Sequence, residues 1–105
     1  MEMGVELEIR TDERLYSERK LIEFYDRSAL ERIVRRFGCN RRIAIIKYEE
    51  GYDLCDTTRE AELVEMMERE FGSLPPGFVR EFYDLVLRYK KEIVQGVVDG
   101  IEGSS

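Results

Sequence analysis

The feature that most limits what this chain can fold into is a helical hydrophobic period sustained from Asp12 to about Tyr48. Leu15, Ile22, Ala29, Ile33, Phe37 and Ala44 recur at four- and seven-residue steps, and charged residues fill the remaining faces. A helix of that length suits pairing with another helix better than lying on a small globule. The chain has 105 residues, enough for one domain with a modest core and too few for two. Its one weak point is Phe37-Gly38-Cys39-Asn40. Glycine costs ~1 kcal/mol inside a helix, so a bend or break is allowed there without being required.

The rest of the chain reads as two shorter helices and a leading segment. In residues 1–11, Val5, Leu7 and Ile9 alternate with charged residues, the pattern of a short strand or an extended arm. A lone strand has nothing evident to pair with, so a disordered or partner-packed extension fits equally well. Glu49-Glu50-Gly51-Tyr52-Asp53 reads as a loop with a glycine hinge. Thr57-x-x-Glu60 has the form of a capping box and opens a helix over about 57–71, with Gly72 as its C′ residue. Ser73-Leu74-Pro75-Pro76-Gly77 is a connector. Phe78, Val79, Phe82, Leu85, Val86, Tyr89, Ile93, Val94 and Val97 then mark a third helix ending near Asp99-Gly100. The expected architecture is all-α: three helices in a domain over residues 12–100, preceded by the 1–11 extension and followed by a frayed tail at 101–105.

Charge and cysteine usage narrow the function classes. A net charge of −6 argues against a general nucleic-acid binder, which carries a basic face. It does not exclude an anionic small molecule, because low-dielectric cleft walls focus nearby cations on a ligand. The chain has no histidine, and its two cysteines, Cys39 and Cys55, lack a zinc-ligand spacing. They read as ordinary reduced thiols in or near the core. The N-terminus has neither a basic n-region nor an apolar h-region, and no apolar run is long enough for a bilayer. A cytoplasmic protein with no signal peptide, no metal and no membrane partner is expected.

Against this background Arg19, Arg36, Lys47, Asp56, Arg59, Glu60 and Gln95 stand out as an ordered set. On a continuous helix, Arg36 and Lys47 are eleven residues apart, so they lie about 20° from alignment with Cα atoms ~16 Å apart. Two long cationic side chains converging across that gap suit one small organic anion. Arg19 is seventeen residues before Arg36, ~25 Å away and rotated by ~100°, too far to serve the same molecule. If it is functional it belongs to a second site, which in a two-fold dimer of long helices is the partner subunit's. Each residue taken singly has a plainer reading. Any long charged helix shows such pairs by chance, Asp56 and Glu60 are acids favoured at a helix N-terminus, and Arg59 and Gln95 read as surface.

Taken in order, these residues resemble the all-α chorismate mutase family, the AroQ class, over most of the chain from Arg19 to Gln95. The Arg-x-x-Ile-x-x-x-Asp opening is matched by Arg19, Ile22 and Asp26. Arg36 follows at the family's gap, then Lys47 within Ile43-Ala44-Ile45-Ile46-Lys47. The Asp-x-x-Arg-Glu element is Asp56-Thr57-Thr58-Arg59-Glu60, and Gln95 closes the set. One departure is Lys91, where members often carry a serine four residues before the glutamine. A lysine there either contacts a substrate carboxylate as a point charge or points to solvent.

The resemblance implies an isomerase that converts chorismate to prephenate without a cofactor, as an entwined homodimer. Lys47 and Gln95 would hydrogen-bond the ether oxygen, and Arg36 with the partner subunit's Arg19 would clamp the carboxylates. Glu60, near Asp56, would receive the ring hydroxyl, while Arg59 would lie against substrate or order nearby acids. Two rivals stand beside this reading. One is an isochorismate pyruvate lyase of the same fold, which does not typically keep the Asp-x-x-Arg-Glu element. The other is a non-catalytic helical dimerisation module.

Overall fold

The computed structural model describes residues 2–104, with side chains from Arg10 onward. The chain is all-α: α1 spans Glu2–Glu50, α2 Thr57–Glu70 and α3 Phe78–Gly103, with no strand among the described residues. It divides into two compact units, one ending at Arg36 and one beginning at Phe37.

The first unit is a single stretch of α1. Residues 2–11 are helical and not the strand or extended arm that their alternation suggested. Three alternating apolar positions are too few to hold a strand that has no neighbour, and no proline interrupts the backbone ahead of Asp12. The side chains of Val5, Leu7 and Ile9, on which that reading rested, lie outside those described, as do Met1 and Ser105. Beyond Arg10 this unit exposes nearly everything it carries, including Leu15, Leu21, Ile22, Phe24, Tyr25, Leu30 and Val34. Its internal contacts are the local ones of any helix surface, such as Lys20 with Glu23 at 3.3 Å and the Phe24–Tyr25 ring pair. Exposed pairs of this kind contribute little.

The second unit contains the buried core. Helix α1 continues without interruption through Gly38 and Asn40. Its end is closed by two bonds around Gly51, which sits at φ 72°: Tyr52 N donates to Lys47 O (2.9 Å) and Gly51 N to Tyr48 O (3.4 Å). This is a Schellman closure, which glycine enters without the Cβ penalty of a left-handed residue. Helices α2 and α3 then form an antiparallel hairpin. Glu68 meets Arg80 at 2.8 Å, and eight residues back along α2 Glu60 meets Lys90, ten residues on along α3, at 2.7 Å. Among the described residues, Ala44 of α1 and Val79, Tyr83 and Val86 of α3 are buried, with Leu63, Val64, Met66 and Met67 of α2 half-buried.

Three boundaries differ from expectation. The N-cap of α2 is Asp56 rather than Thr57: Asp56 Oδ1 accepts from Arg59 N at 2.9 Å. Gly72 follows the cap residue Phe71 but takes no positive φ; the positive-φ glycine of this connector is Gly77 at φ 84°, the N-cap of α3. Helix α3 passes through Asp99-Gly100 to Gly103, because one glycine without a following proline does not stop a helix already packed along its length. Both cysteines are exposed rather than in the core.

Candidate active site

Local backbone chemistry sets most of the site residues in place. Lys47 stands in the last turn of α1, where its cation complements the helix dipole and its carbonyl is tied by the Schellman closure. Its side chain is half-buried. The loop that follows is shaped by an Asx turn, Cys55 N donating to Asp53 Oδ1 at 3.0 Å. Asp56 then uses its carboxylate to cap α2, which leaves Glu60 free of capping and one turn further in, directed at α3.

On α3 the buried stripe runs Val79, Tyr83, Val86, and the next position of that stripe is Lys90. Lysine is almost never buried unless paired. Here the pair is Glu60, with Nζ to Oε1 at 2.7 Å and side chains only 16% and 20% exposed. The pair borders a cavity of about 280 Å³ between α3, the start of α2 and the loop before it, at the small end of ligand-sized pockets. Leu54, Val94 and Val98 supply its apolar wall, and Glu60, Lys90, Lys91 and Gln95 its polar side, with Cys55 at the border. Two lysines and one carboxylate leave that lining net positive on a chain whose overall charge is −6. That excess is the exposed Lys91, because Lys90 is matched by Glu60, and the Asp99 carboxylate stands beside the lining through Gln95.

Of the residues singled out in the sequence, Glu60, Lys91 and Gln95 share this cavity. Lys91 keeps an exposed side chain at its border. Gln95 is oriented by Asp99, which accepts from Nε2 at 2.8 Å. A carboxylate only accepts, so the amide NH2 must face it, and the second amide hydrogen remains to donate elsewhere. Asp56 and Arg59 are exposed at the head of α2 and do not line the cavity. Lys47 belongs to the same unit without lining it. Arg19 and Arg36 belong to the first unit, Arg19 exposed and Arg36 half-buried. Lys90 and Asp99 are the residues that sequence reasoning missed. Lys90 carried a usable signal, a lysine at an apolar position of the α3 period.

The family model described as Chorismate mutase type II matches residues 18–95 of the chain. The chain belongs to that family. Its members are isomerases acting on chorismate, and the matched span includes every position singled out above, Arg19 through Gln95. No curated protein and no solved structure matched the chain. Among the described residues no helix is long and apolar enough to cross a membrane.

Proposed function

We propose that the protein is a chorismate mutase that rearranges chorismate to prephenate in phenylalanine and tyrosine biosynthesis. The observation that carries this reading is a net-positive cavity holding Glu60, Lys91 and the Asp99-oriented amide of Gln95 in a chain of the mutase family. The reaction is an intramolecular Claisen rearrangement. The ether C–O bond breaks as the new C–C bond forms within one molecule, and no proton, nucleophile or electron carrier is needed. The enzyme's work is to hold a compact conformer and to stabilise charge developing on the ether oxygen.

On the family resemblance, Lys47 and Gln95 donate to that oxygen. Arg36 and the partner subunit's Arg19 grip the two carboxylates through their planar forks, and Lys91 adds a third cation for the same groups. Glu60 accepts from the ring hydroxyl, with Asp56 and Arg59 ordering the start of α2 around it. A homodimer is supported by the apolar residues that α1 exposes along its first unit. Fully burying a leucine, isoleucine or phenylalanine contributes about 1.5–3 kcal/mol, so a run of such residues favours a second helix strongly. A cytoplasmic setting fits two exposed free thiols.

The same fold hosts isochorismate pyruvate lyases. Retention of Asp56-Thr57-Thr58-Arg59-Glu60 favours the mutase. The placement of the catalytic cation is tested by Lys47→Ala, which should lower kcat/KM by on the order of 100-fold or more, the loss seen when one oxyanion-type donor is removed. A variant within threefold of the parent would overturn the role given to Lys47.

A further inference from the structure

The assigned roles leave the part-buried charge on the site wall, Lys90, without a task. Lys90 lies on the face of α3 that carries Val79, Tyr83 and Val86, all buried. Relative to those three it is rotated by only about 20–40° on an ideal helix, whereas Lys91 is a further 100° round. An ammonium at such a position is costly unless it is paired. Its partner is the residue that the mutase reading gives to the substrate hydroxyl, Glu60, held at 2.7 Å through Oε1. Both groups line the cavity, so the pair is built into the site wall.

We propose that Lys90 is a positioning residue for Glu60. Resting on the mutase reading, its ammonium holds Oε1, fixes the carboxylate rotamer and leaves Oε2 to accept from the ring hydroxyl. Without Lys90, an ionised Glu60 would sit part-buried beside Leu54, Val94 and Val98 without the ammonium that holds it at 2.7 Å, and its side chain would turn toward solvent or toward the exposed Lys91 at the cavity border. The hydroxyl takes no part in the bonds that break and form. Its contact is therefore equally strong in ground and transition states, and losing it raises KM with kcat largely unchanged.

The test is steady-state kinetics on chorismate with Lys90→Met, Lys90→Arg and Glu60→Gln, singly and with Lys90→Met and Glu60→Gln combined. Lys90→Met should raise KM about tenfold, the order expected for losing a charge-assisted hydrogen bond, with kcat within about threefold. Lys90→Arg should recover most of the affinity. In the Glu60→Gln background, Lys90→Met should change KM by less than about twofold, because the carboxylate it positions is gone. A purely structural lysine would give the same effect in both backgrounds and a lowered melting temperature. An unchanged KM in Lys90→Met, or an equal effect in both backgrounds, would overturn the positioning role while leaving the mutase reading intact. A parent enzyme making no prephenate would overturn both.

Discussion

Helix α1 runs through Gly38 as ordinary helix, and replacing that glycine with alanine measures whether it does so without strain. A Cβ built at Gly38 would approach the Arg42 guanidinium at 3.5 Å and 4.0 Å, ordinary van der Waals contact with a flexible group. No steric term therefore opposes the substitution, and the conformational term dominates. Glycine within a helix costs roughly 0.5–1 kcal/mol relative to alanine, mostly through the freedom it has when unfolded. Unfolding entropy is about 2.1 cal/mol/K per residue, which for 105 residues is about 0.22 kcal/mol/K. Gly38→Ala should accordingly raise the melting temperature by about 2–5 °C, read by far-ultraviolet circular dichroism. A lowered melting temperature would refute the reasoning, since it would mean that the backbone at residue 38 is not helical or that a partner helix packs against the bare Cα. The outcome bears on function, because in the proposed dimer the reach of Arg19 to the other subunit's site depends on an unbroken α1.

Other consequences are equally direct. Asp56→Ala removes the cap that accepts from Arg59 N and should destabilise the fold by about 1 kcal/mol in thermal or urea unfolding. In Gln95→Glu the introduced carboxyl donates only when protonated, so activity should rise as pH falls. The nearby Asp99 carboxylate favours the protonated form further, and a flat profile would remove Gln95 from the ether-oxygen role. Arg19→Ala and Lys47→Ala should each be nearly inactive alone. Mixed one to one and allowed to exchange subunits, they should recover about a quarter of parent activity, because half the dimers are mixed and each then has one intact site. No recovery would contradict cross-subunit supply of Arg19.

Much of this was readable from residue order, for reasons that particular residues make plain. The third helix declared itself because Phe78, Phe82, Leu85, Tyr89 and Ile93 keep one period, and of the candidate site residues Glu60, Lys91 and Gln95 line one cavity. Boundaries were harder. Asp56 and Thr57 are both good caps, and only backbone geometry decides which one reaches the N3 amide; that one-residue shift turned Glu60 from a capping partner into a partner of Lys90. The leading segment misled because Val5, Leu7 and Ile9 alternate, a signal too short to outweigh the helix that follows. Lys90 and Lys91 are identical in sequence, and the four-residue gap to Gln95 drew attention to the second. What separates them is the rotation of α3 against α2, which makes one the half-buried partner of Glu60 and the other an exposed border residue. The general tendency of cysteine to be buried puts Cys39 and Cys55 in or near the core, yet both are exposed. They fall on an outer face and in a loop, where no pattern pulled them inward.

The central claim is that this cavity rearranges chorismate and does not cleave isochorismate. Purified protein should be incubated with each compound, chorismate loss followed by ultraviolet absorbance and the products identified. The account predicts prephenate from chorismate, with no pyruvate released from isochorismate. Pyruvate release without prephenate would contradict it and make the protein a lyase of the same fold.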